Sequence, residues 1–120
     1  MSENREYVSR DLENGTINVS EEVLASMAAM TIMDVEGVRG LSSAISMKKS
    51  ATRGIRVVIS DDDTVSVDCY IIVLYGYSVI EVAKAVQEAV SANLEATVGK
   101  KVSAVNVSVS GICHPKSVKK

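Results

Sequence analysis

Phenylalanine and tryptophan are absent from this chain, and four tyrosines are its only aromatic side chains. With no phenylalanine or tryptophan to stack unpaired bases and a formal charge of −2, it has little of the platform and none of the general attraction of a nucleic-acid binder, though a local basic patch could still act. There are two cysteines and one histidine. Cys69 falls in an expected strand and Cys113 in an expected tail, which is not a disulfide framework, so both are read as reduced thiols in the cytosol. Cys113 and His114 are adjacent beside a proline with no second ligand pair at zinc spacing, and no motif sets a nucleophile next to the histidine. A zinc site and a hydrolytic triad therefore both lack support. No phosphate-binding loop occurs, and no cofactor is expected. Long apolar runs are missing too. Tyr70 to Tyr75 is far short of the roughly 20 residues that span a bilayer, and the polar start MSENREYVSRDLENG has no signal-peptide core. Direct membrane insertion is not expected, so membrane contact must come through a partner or a surface patch.

What the chain does have is apolar content, 47% of 120 residues, enough for one domain with its own core. Its organising stretch is Thr64 to Gly99. Val65, Val67, Cys69, Ile71, Val73 and Tyr75 alternate first with Ser66 and Asp68, the two-residue period of a strand with one covered face. Beyond Asp68 the second face turns apolar as well, with Tyr70, Ile72 and Leu74, so this half of the strand is expected to be covered on both sides. Gly76-Tyr77-Ser78 breaks the strand. Ser78 and Glu81 have the spacing of a capping box, and the following helix lines up Val79, Val82, Ala83, Val86, Val90 and Leu94 opposite Glu81, Lys84, Glu88, Ser91 and Glu95. Gly99 suits the left-handed residue that closes a helix.

Residues 1–14 are mixed in charge and read as a mobile arm; residues 15–112 form the domain and 113–120 a polar tail. Gly15 to Val19 alternates as a short strand. Ser20, with Glu21 and Glu22 behind it, starts a helix to about Met33 whose buried stripe is expected to be Val23, Leu24, Met27, Ala28, Met30 and Thr31. Val38 to Ser43 can form a second strand, weakened by Gly40. Met47 to Arg56 holds Lys48, Lys49, Arg53 and Arg56 with no acid; it is either a solvated loop or a patch for an anionic partner. Ile55, Val57 and Ile59 mark a third strand, and Asp61-Asp62-Asp63-Thr64 a turn back into the long strand, without the ligand spacing of a calcium loop. Val102 to Ser110 alternates as a last strand, with Val105, Val107 and Val109 inward.

The order β-α-β-β-β-α-β suggests an α+β, two-layer sandwich: one mixed sheet of about five strands with two long helices on one face. On the other face, Tyr70, Ile72 and Leu74 are worth about 1.5–3 kcal/mol each on burial, too much to leave in water without a reason; a protein interface is expected there, the alternatives being that the tail or the N-terminal arm folds over the patch or that the strand register is shifted by one.

Several stretches together resemble the alkaline-shock-protein family of Gram-positive bacteria. They are Gly15-x-Ile17-x-Val19-Ser20-x-Glu22-Val23, Gly37-Val38, Tyr75-Gly76-Tyr77-Ser78-Val79-x-Glu81-Val82-Ala83-x-x-Val86-Gln87-x-x-Val90, and Gly99-x-x-Val102-x-x-Val105-Asn106-Val107. The likeness spans about Gly15 to Ile112. It implies a non-enzymatic protein of the cell-envelope stress response, cytoplasmic and peripheral at the inner membrane face. Such a protein would self-associate as a homo-oligomeric scaffold and dock on a membrane-anchored family relative. No catalytic residue is carried over. The alternative the resemblance leaves open is a regulatory binding protein linked to fatty-acid biosynthesis through acetyl-CoA carboxylase.

Overall fold

Val65–Leu74 forms the central strand, and everything else is placed by it. In a computed structural model of the chain, which describes residues 7–41, 54–60, 62 and 64–114, the order is β1 (Tyr7–Leu12), β2 (Gly15–Ser20), α1 (Glu21–Met33), β3 (Val38–Leu41), β4 (Ile55–Ile59), β5 (Val65–Leu74), α2 (Val79–Val98) and β6 (Val102–Cys113). One edge of β5 carries the whole of β6 in a parallel ladder from Val65↔Val102 to Leu74↔Cys113. The other edge is shared end to end by two short antiparallel strands. β4 pairs with Val65 to Cys69, and β3 with Ile71 to Val73. Among the described residues the sheet is therefore four strands in sequence but three strands wide.

Local chemistry explains the turns. Asp62 accepts from both the backbone N–H of Thr64 at 3.2 Å and its hydroxyl at 2.8 Å, which closes the β4–β5 reversal and holds the Asp62 carboxyl below its usual range. Ser78 caps α2 by accepting from the N–H of Glu81 at 3.3 Å, and Gly99 ends it at φ +79° with its N–H on the carbonyl of Glu95. These match the sequence reading. Val82, Val86, Val90 and Leu94 of α2 are buried together with Val65, Val67, Cys69, Ile71 and Val73 of β5, and with Leu24, Ala25, Ala28 and Ile32 of α1. Both helices thus lie on one face of the sheet, and the α+β class stands.

Three details depart from the sequence reading. Tyr7–Leu12, inside the segment assigned to the arm, is a strand, so the molecule has one strand more than the pattern gave. It pairs with β2 in a separate two-stranded hairpin, from Tyr7↔Ser20 to Leu12↔Gly15. Hence β2 does not join the main sheet, and among the described residues only β5–α2–β6 is a crossover between parallel neighbours. The inward stripe of α1 is rotated as well: Leu24, Ala25, Ala28 and Ile32 are buried, whereas Val23 and Met30 are 47% and 64% exposed. Apolar residues run nearly all round this helix, so periodicity does not select a face; the small Ala25 and Ala28 do, by permitting close approach.

Candidate functional site

The face of the sheet turned away from both helices is set by the alternation of β5. Ser66, Asp68, Tyr70 and Ile72 are each partly buried between buried neighbours, and Leu74, partly buried too, ends the strand after buried Val73. The ladders place Arg56 opposite Asp68 and Val58 opposite Ser66 on β4, and Ala104, Asn106, Ser108, Gly111 and Cys113 alongside on β6. This surface has two halves. At one end, the Asn106 amide donates to the Asp68 carboxylate at 2.7 Å, with Arg56 directly across the strand. At the other, Tyr70, Ile72 and Leu74 form an apolar row.

The flanks of that row are low. Gly40 stands opposite Ile72 on β3 and Gly111 opposite it on β6; a side-chain carbon at Gly40 would meet nothing within 4 Å, and one at Gly111 would only touch Ile72 at 3.8 Å. Ile72 is a ridge between two glycine-lined troughs. A surface of this shape has no acid–base pair to offer chemistry, but it can seat apolar groups.

Of the residues the sequence singled out, Tyr70, Ile72, Leu74 and Arg56 share this face, while Lys48, Lys49 and Arg53 lie outside the described residues. The sequence reading missed how apolar exposure continues around the end of the sheet. Tyr75, Tyr77, Ile80 and Ile112 are 61%, 42%, 65% and 55% exposed where β5 and β6 finish and α2 begins. The Tyr75 ring stacks on His114 with centroids 5.2 Å apart, and the Tyr77 hydroxyl donates to Glu36 at 3.4 Å. The signal was an isoleucine, Ile80, on the polar stripe of an otherwise amphipathic helix.

Elsewhere the chemistry is quiet. Cys69 lies fully buried on the helix side, where burial, and secondarily the Asp68 carboxylate, push its thiol up to about 12. It is not a nucleophile. An open pocket of about 340 Å³ lined by Glu95, Gly99, Lys100 and Lys101 sits at the end of α2, far along the sheet from Leu74. Among the described residues, no three His, Cys, Asp or Glu side chains gather as a metal-holding group, and no helix is long and apolar enough to cross a membrane.

Fold and site together define a two-layer α+β domain in which, among the described residues, both helices lie on one face of the sheet and leave the other without a helix. The chain belongs to the alkaline shock protein 23 family, described as having a cell envelope-related function, whose family model matches residues 9–114. It is 34% identical to the uncharacterized protein YloU of Bacillus subtilis (strain 168), over 82% of this chain and 88% of that one. It is 32% identical to the uncharacterized protein Spy1614 of Streptococcus pyogenes serotype M6, over 88% and 93% respectively. In fold it is similar to solved variants of the MamM CTD, with a TM-score of 0.51 at 20% identity over 76% of this chain and 94% of that one.

Proposed function

We propose that this protein is a non-enzymatic scaffold of the cell-envelope stress response, which associates with itself and docks on a membrane-anchored partner at the cytoplasmic face of the membrane. The observation that supports the reading is the apolar half of the helix-free face: Tyr70, Ile72 and Leu74 keep part of their surface open on the central strand, where neither helix covers them. Surfaces of that kind on small domains are contact surfaces. The family's cell envelope-related function supplies the setting.

Two measurements test it. Light scattering across a wide range of concentration is expected to show growth beyond the monomer. Inside-out membrane vesicles stripped of peripheral proteins are expected to retain the chain, and prior protease treatment of those vesicles to abolish retention, since the anchor is a protein. Equal retention on protein-free lipid vesicles would remove the anchored-partner half of the proposal. A monomer at every concentration would remove the self-association half and favour a regulatory binding role, such as one toward acetyl-CoA carboxylase.

A further inference from the structure

The outer edge of β6 is guarded along one half and open along the other. Among the described residues β6 pairs with β5 alone, so its second edge faces outward. Tyr70 gives its N–H to Gly54 on the β4 side, so the alternate residues Val67, Cys69 and Ile71 turn their backbone groups to β6 and bond the residues that flank their parallel partners. The backbone groups of Val105, Val107 and Val109 are left pointing outward. Helix α2 reaches down to the first half of this edge twice: Glu95 accepts from the N–H of Val102 at 3.1 Å, and Gln87 donates to the carbonyl of Val105 at 3.0 Å. Two turns before Gln87, on the same side of the helix, stands Ile80, which is 65% exposed and has no polar group to cap an edge. Because Glu95 lies over Val102 and Gln87 over Val105, α2 runs opposite to β6. Those two turns, about 10 Å, therefore carry Ile80 about three residues along the strand from Val105, to the level of Ser108.

We propose that the open half of this edge pairs with the same edge of a second copy, β6 against β6 and antiparallel about a two-fold axis at Ser108. The contact rests on the self-association reading above and gives it a geometry. A row of outward N–H and C=O groups is complemented by another strand. The second copy is the occupant because this edge is its own complement. Turned about Ser108, Val107 of one copy faces Val109 of the other, and each such pair exchanges both of its backbone hydrogen bonds. Gln87, already on the Val105 carbonyl, ends the ladder at either side. The helix marks the same axis independently of the ladder, since Ile80 stands at the level of Ser108 and meets Ile80 of the second copy over the paired strands. No proline or charged residue lies between Val102 and Cys113 to oppose the approach. Both copies keep their helices on one side, so the helix-free faces join into one sheet of twice the width, a broader apolar surface for an anchoring partner. One short ladder and one isoleucine pair make a small, reversible contact that forms where the chain is concentrated.

The test is a charge exchange at one exposed position of the full chain. Ile80→Asp and Ile80→Lys leave the buried core untouched, and each sets like charges face to face on the axis. Each alone is expected to need at least about tenfold more protein than the parent to dimerise in light scattering. Mixed in equal amounts they are expected to recover the parent's association as a heterodimer, because only a contact in which residue 80 meets residue 80 turns the repulsion into attraction. In the parent, amide hydrogen exchange at Val107 and Val109 is expected to slow about tenfold or more as concentration rises. Single variants that associate like the parent, a mixture that recovers nothing, or unchanged exchange at those amides would overturn the edge contact while leaving self-association standing. A parent chain monomeric at every concentration would overturn both.

Discussion

Gln87, on the outer side of α2, donates its side-chain amide to the backbone carbonyl of Val105 in β6, 3.0 Å away. Tyr70 bonds Gly54 on the β4 side, so Val67, Cys69 and Ile71 bond β6, and the parallel register then turns Val105, Val107 and Val109 to the outer edge. From Val102 to Cys113 that edge strand holds no proline and no charged residue, the usual protections against a stray strand. The helix supplies one instead. Gln87→Ala is expected to cost about 0.5–1.5 kcal/mol in urea unfolding and to raise scattering on heating; Gln87→Lys, which still donates, is expected to restore resistance to aggregation. Unchanged scattering in the alanine variant would mean that the edge is guarded by something else.

Arg10 and Gly99 couple the hairpin to the end of α2, whose last turn has no basic residue of its own. A side chain at Gly99 suffers twice, from φ +79° and from collision with the Arg10 guanidinium. Gly99→Ala is expected to destabilise by more than about 1 kcal/mol, and less so in an Arg10→Ala background, where only the backbone strain remains. Additive losses in a double-mutant cycle would show that the two residues do not communicate.

The contrast between these elements explains what the sequence revealed. β5, its turn, α2 and β6 were legible because strong periodicity, a capping pair and a closing glycine all pointed the same way. The candidate row Tyr70, Ile72 and Leu74 was legible for a related reason, since alternation visibly failed there. β1 was hidden because Tyr7–Leu12 mixes Tyr7, Val8 and Leu12 with Ser9, Arg10 and Asp11, and its pairing with β2 is a tertiary fact that composition does not carry. The exposed cluster at the end of the sheet was hidden because Tyr75 and Ile112 sit on the inward phase of their strands and are open only where the helix layer ends.

Gly37 shows how tightly that end is built. It holds φ +98°, and a side-chain carbon there would lie 2.7 Å from Val82 Cγ2 and 3.0 Å from the Tyr77 ring. Val82 is 4% exposed and cannot withdraw as a surface group would. Gly37→Ala is expected to cost on the order of 2–3 kcal/mol, from strain and overpacking together, with partial recovery on adding Val82→Ala. A cost below about 0.5 kcal/mol would mean that the β3 entry gives way easily.

Cys69 ties stability to alkaline pH. Its thiol is raised from 9.0 to about 12 in the folded chain, chiefly by burial, so the native state keeps the proton over a range in which the unfolded chain has lost it. Below about pH 9 both states are protonated and the stabilising effect of burying a neutral thiol is fully present. As pH rises toward about 12, the unfolded state binds fewer protons than the native one, and stability falls by up to about 1.4 kcal/mol per pH unit from this group alone. Lysines and tyrosines titrate in the same range, so the informative quantity is a difference. Denaturation midpoints of the parent and of Cys69→Ala, measured from about pH 8 upward, are expected to converge as pH rises, because alanine has no proton to lose. In the same samples an alkylating reagent should modify the partly exposed Cys113 first and reach Cys69 only on unfolding. Parallel pH curves, or equal labelling of the two thiols in the native protein, would place Cys69 in contact with water.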